Sequence, residues 1–179
     1  MKKLSAIVSL ALILCFMVGC QDKAALAELE TIKARAEVEE QNKALILKWY
    51  EELDTGNLDK FLELFAPNFI WYSPSNSPTP LSKKETQEYL IEAFKAIKEV
   101  THKIEEIITV NDKVIVRTIN SATHEGIFQG IHATGKKVEF SAIAIFQIKD
   151  RKVVEVREDS DKLGWFQQLG MELKPKVGE

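Results

Sequence analysis

A carboxylate near the end of the last strand-like run is the residue best suited to chemistry. In residues 152–159 strand alternation sets Val154 and Val156 on one face with Glu158, and Glu155, Arg157 and Asp159 on the other. An inward carboxyl beside apolar side chains loses hydration for its charged form. Its pKa rises, and it becomes a useful general acid or base. The alternative is a rim position, with Glu158 paired to Arg157 or Lys162 at the surface. His124 ends an earlier run on the parity of Asn120 and Ala122, within expected reach of Glu158 or Asp161. A lone histidine at a strand end more often braces the turn, here the one ahead of Gly126. The three histidines lie on separate segments without paired ligand spacing, and no phosphate-cradling loop or nucleophile elbow occurs. Neither a metal nor a cofactor is expected.

The elements that must position these residues are legible from periodicity. A helix passes through Ile46 and Trp49-Tyr50 to Leu53 and stops at Asp54-Thr55-Gly56-Asn57. Leu58, Phe61, Leu62 and Phe65 recur at helical spacing until Pro67, and residues 68–72 read as a strand. Ser82 and Glu85 form a capping box that opens a third helix through Tyr89, Leu90, Phe94 and Ile97. Four longer runs follow, over 101–110, 113–124, 136–148 and 152–159, with Asn111-Asp112 and Asp150-Arg151 as hairpin turns. The expected fold class is α+β, a curved, cone-shaped, mainly antiparallel sheet wrapped around about three N-terminal helices.

In the third run Val138, Phe140, Ala142, Ala144 and Phe146 share a face and could line an apolar pocket. The opposite Ile143 and Ile145 are expected to cover a helix or a contact with a second copy, pairing two molecules through the sheet. Tyr50, Trp71 and Tyr72 are candidate walls from the other side, with Asn120 beside them; Trp49 and Trp165 read as core.

Two stretches, THEGIFQGIHATGKK at 123–137 and DKLGWFQQLG at 161–170, resemble the SnoaL-like polyketide cyclases, also called ester cyclases. These have a fold related to nuclear transport factor two, and the resemblance covers roughly residues 40–170. In that family an aspartate just after the last strand shuttles the proton in an intramolecular aldol closure. Counting back from Gln168-Leu169-Gly170, the position matches Glu158, and the partner histidine falls on Ala144. His124 and Asp161 also match family positions, which implies a catalytic set of Glu158, His124 and Asp161. Asp161 equally suits the N-cap of a helix through Leu163 and Gly164.

The N-terminus carries a different signal. Lys2 and Lys3 precede an apolar run over residues 4–18 that ends in Val18-Gly19-Cys20, similar to a bacterial lipoprotein processing site. A spanning helix needs about 20 apolar residues, so this run reads as a signal peptide of residues 1–19. Acylated Cys20 would then anchor the chain, and residues 20–39 would form a charged helical tether. A tether of about 18 helical residues lifts its cargo about 27 Å. The remaining organisation is a domain over 40–173 and a tail over 174–179. Gln21 after the cysteine implies the outer membrane, facing the periplasm, in a Gram-negative host.

Removing residues 1–19 takes two lysines and no acids from a chain of net charge -3, and nothing in it forms the basic stripe that nucleic acid requires. Cys15 and Cys20 are the only cysteines, so the domain holds no disulfide and depends on core burial. The expected function is binding of a small hydrophobic ligand at the cell envelope, with cofactor-free acid/base chemistry at Glu158. A cyclase, isomerase or hydrolase and a non-catalytic interaction module are the alternatives.

Overall fold

The computed structural model describes the backbone of residues 2–175 and the side chains of residues 23–175. The expectations for the signal segment and for Cys20 concern side chains outside the described residues. Contacts divide the chain into two units, residues 1–38 and residues 39–179. The first is helical throughout its described length, and its side chains from Lys23 onward are exposed.

The elements are α1 (Lys2–Asp54), α2 (Leu58–Glu63), β1 (Phe65–Tyr72), β2 (Leu81–Ser82), α3 (Lys83–Ala96), β3 (Ile97–Val110), β4 (Lys113–His124), β5 (Lys137–Lys149), β6 (Lys152–Ser160) and α4 (Lys162–Leu169). The second unit is built on one curved, unclosed six-stranded sheet in the order β2-β1-β6-β5-β4-β3. Only the β1–β6 pair among these is parallel. The α+β cone expected from the sequence is the fold observed.

Local signals explain most boundaries. Ser82 Oγ accepts from Glu85 N at 3.4 Å, and Glu85 Oε2 accepts from Ser82 N at 2.8 Å, closing the capping box of α3. Left-handed Asn111 (φ 56°), Asp150 (φ 50°) and Arg151 (φ 60°) make the two tight hairpins. Gly126 is required by close approach: a Cβ there would lie 2.6 Å from Ala96 Cα, where the amides of Glu125 and Gly126 both donate to Ala96 O.

The second helix is shorter than its spacing suggests. Phe65 leaves it to open β1, because its backbone pairs with Val153 of β6 and its ring stacks on Trp49 at 4.6 Å. Trp49 anchors the main core, with Phe61 at 4.4 Å and Phe146 at 5.4 Å meeting it edge-on. Trp165 anchors a second cluster with Ala122, Val138 and Leu169.

One parity expectation needs correction. Ile148 pairs with Val153 but Gln147 pairs with Glu155, so Val154 is the extra residue of a bulge. Val153 is therefore fully buried and Val154 only partly so. Beyond the bulge the alternation resumes, and Val156 and Glu158 share the inner face as expected.

Candidate functional site

Curvature of the sheet around the helices leaves a cavity of about 210 Å³ in the second unit. Its walls are mainly apolar. Trp49 and Phe146 extend into it from the core, and β5 contributes Phe140, Ala142 and Ala144. Glu158 enters from β6 directly across from Ala144, whose small side chain leaves it room. Tyr50, Trp71 and Asn120 line the cavity too.

Glu158 touches the open space, so some of its surface stays accessible, but protein surrounds the carboxyl closely. Burial pushes its pKa above the ordinary carboxylate value; His102 and Lys162 pull it back, and Asp159 adds to the rise. Arg157, one surface partner considered for it, is engaged elsewhere. Its Nε donates to Glu155 Oε1 at 2.7 Å and its Nη1 to Ser75 O at 2.9 Å.

A second titratable group in the cavity was not singled out in the sequence. His102, from β3, lines the wall, with its backbone N–H donating to Asp54 Oδ2 at 3.0 Å and its Nδ1 2.5 Å from Asp54 Oδ1. Asp54 stands at the last residue of α1, so the helix end fixes the ring. With Nδ1–H donating to the Asp54 carboxylate, the imidazole tautomer carries its lone pair on Nε2. The ring lies 5.4 Å from that of Tyr50 and directly opposite Asn120 in the β3–β4 ladder. A signal for His102 existed: Lys103 and Glu105 alternate with His102 and Ile104, which marks one polar and one inner face. Nothing local linked it to Asp54, 48 positions earlier.

Lys162, the other partner considered for Glu158, lines the cavity as well, and two phenols add to its polar lining. Burial and then the Glu158 charge push the Tyr89 phenol up to about 12. The Tyr50 phenol is raised further by burial, Glu158 and Asp54. Both stay protonated at neutral pH and serve as donors.

The structure does not bring every candidate to this cavity. His124 is fully buried at the end of β4, with Nδ1 3.1 Å from Thr134 Oγ1 and its ring 6.0 Å from that of Trp165. It is not among the cavity-lining residues. Its backbone closes the turn, donating to Lys136 O and accepting from Gly135 N. Asp161 is exposed, outside the lining, and caps α4 by accepting from Gly164 N at 2.8 Å. Tyr72 is also outside. The β1–β6 register sets Trp71 beside Val156 on the inner face and Tyr72 beside Arg157 on the outer, where the guanidinium lies 3.9 Å from the phenol centroid.

Among the described residues, four buried side-chain polar atoms make no hydrogen bond: Trp71 Nε1, Thr86 Oγ1, Asn120 Oδ1 and His124 Nε2. All but His124 belong to residues that line the cavity. Such groups are uncommon in folded proteins, where an ordered water commonly meets them.

Comparison with known proteins agrees with this architecture. A search of curated proteins finds no match. Among solved structures the chain is similar to AclR, a candidate hydroxylase of Streptomyces galilaeus, with TM-score 0.68 and 24% identity over 78% of this chain and 91% of that one. It is similar to IdmH, a candidate polyketide cyclase of Streptomyces antibioticus, with TM-score 0.64 and 23% identity over 73% and 99%. A SnoaL-like polyketide cyclase of Agrobacterium tumefaciens strain C58 gives TM-score 0.61 and 18% identity over 72% and 98%. Identities this low establish a shared fold and leave the reaction to the site itself. The family model described as SnoaL-like polyketide cyclase matches residues 44–169, from α1 to the end of α4, so the whole cone is accounted for and the chain belongs to that family.

Proposed function

We propose that the cavity binds a small, mainly apolar carbonyl compound and that Glu158, together with the Asp54–His102 pair, moves a proton on it. The observation that carries this reading is an inward carboxyl with a raised pKa, sharing an apolar cavity with an imidazole oriented by a second carboxylate. In the step envisaged, a C–H bond next to the carbonyl breaks and its electron pair moves onto the carbonyl oxygen. The proton passes to His102 Nε2 or to ionised Glu158. A phenol of Tyr50 or Tyr89 donates a hydrogen bond to the enolate oxygen, and return of the proton at another atom completes an isomerisation or ring closure. The family position for an imidazole is Ala144 here, and His102 supplies one from another strand.

The same reading covers the rest of the molecule. Signal-peptide processing and acylation at Cys20 would hold the domain at the bacterial envelope, on the outer membrane facing the periplasm in a Gram-negative cell. Exposed Ile108, Ile143 and Ile145 offer an outer sheet face to a second copy.

Exchange of the α-protons of 2-tetralone in heavy water, followed by NMR, tests the chemistry without knowledge of the natural substrate. The wild-type protein is expected to exceed buffer by about 10²-fold or more, the lower end of the usual span of about 10²–10⁴ for a general base, with Glu158→Gln and His102→Gln each removing most of the gain. Exchange at the buffer rate despite bound tetralone would leave a binding protein and remove the acid/base role.

A further inference from the structure

Position and solvent access single out one cation in the cavity wall. All the side chains that line the cavity are buried or half-buried except Gln129 and Lys162, so these two stand where it opens to solvent. Glu158 and Ser160 share the inner face of β6. At about 3.3 Å per residue, Ser160 lies about 6.6 Å further along the strand, and the chain then turns through Asp161 into α4, whose first residue is Lys162. A polar track therefore runs from Glu158 past Ser160 to the opening. The neighbouring strand keeps it clear: Ala144 pairs with Glu158 and Ala142 with Ser160, between the larger Phe140 and Phe146.

The fold around Lys162 gives no reason for a cation there. Its ammonium makes neither a hydrogen bond nor an ion pair among the described residues, and reaches Glu158 and Asp159 only through space. A cation in the first turn of a helix also opposes the helix dipole, so Lys162 does not serve α4. The nearby carboxylates are committed elsewhere. Asp161 Oδ1 accepts from Gly164 N at 2.8 Å and Asp159 Oδ1 from Ser75 N at 3.0 Å, and neither residue lines the cavity. An anion lodged deeper would meet Glu158 within apolar walls, whereas at the opening it meets Lys162 and water.

We infer that the ligand carries an ionised carboxylate, which rests at the opening against Lys162 while its apolar ring fills the space over Ala142 and Ala144. This rests on the proposed reading of the cavity as the ligand site and adds the substrate class: a carbonyl compound that is also an acid. Lys162 is then a specificity-determining residue. It sets which end of the ligand enters first, and with it which carbon comes to Glu158. The pair stays in contact with water, so it contributes what a surface ion pair does, up to about fivefold in affinity, and salt weakens it.

Titration calorimetry on the full chain with 2-naphthoate and 2-naphthamide at neutral pH tests it, since the two probes differ in charge and little in shape. Lys162→Gln is expected to weaken naphthoate binding about three- to fivefold and naphthamide binding less than about 1.5-fold, and Lys162→Arg to keep the wild-type ratio of the two affinities. Retained naphthamide binding serves as the control for folding. Lys60→Gln, on α2 and outside the cavity, removes the same charge and should leave the ratio unchanged. Equal losses for the two probes in Lys162→Gln, unchanged naphthoate binding, or the same selective loss in Lys60→Gln overturns the inference and leaves the cavity a ligand site. Binding of neither probe to the wild type overturns the ligand-site reading as well.

Discussion

Glu158 couples the site to stability through its proton. Below about pH 4.3 the carboxyl is protonated in both the folded and the unfolded chain. As pH rises past that value the unfolded chain releases its proton first, because burial holds the folded pKa higher, and folding loses stability until the folded pKa is passed. Glu158→Gln is therefore expected to match the wild type near pH 4 and to melt a few degrees higher near pH 8, with a plateau above the folded pKa; about 1 kcal/mol moves the midpoint of a domain this size by about 2–4 °C. Calorimetric melts at four pH values check this. A difference independent of pH would mean that the carboxyl is not perturbed. Glu158 was legible because a two-residue period carries from Val156 to it without interruption. His102 was harder to find, since β3 bulges on both sides of it and its meaning depends on Asp54 at a distant helix end.

At the scale of elements, caps and turns were the most readable parts, because each depends on residues within three or four positions. The capping box of α3, the two hairpins and the Asp161 cap of α4 all follow from local hydrogen bonds. Asp161→Ala is expected to lower stability by about 1 kcal/mol through loss of that cap and to leave tetralone exchange within twofold of wild type. Denaturant unfolding and the exchange assay measure the two separately. A normal melt with abolished exchange would return Asp161 to the chemistry. What local patterns could not give was the register of β1 on β6, a parallel pairing between segments over 80 residues apart. That register decides that Trp71 faces the cavity and Tyr72 does not, so half of the Trp71-Tyr72 expectation was beyond the sequence. The bulge at Val154 is a similar case, visible only once β6 is paired with β5.

The whole molecule joins a short apolar N-terminal run to a family cone. Cys20→Ser should abolish labelling by a fatty-acid probe in cells that label the wild type; equal labelling of both, or of neither, would remove the anchor. The fold class was legible because helix-then-strand order and tight hairpins leave few arrangements for residues 40–170. The site was legible only in part, since a cavity gathers residues from every element at once. Mapping where a ligand lands is therefore the most direct test of the central claim. In NMR spectra of the labelled chain titrated with 2-tetralone, shifts are expected to cluster on Tyr50, Trp71, His102, Asn120 and Glu158, and to spare Tyr72, Asp161, Ile143 and Ile145. Shifts confined to the outer sheet face, or no saturable shifts at the cavity residues, would contradict the account.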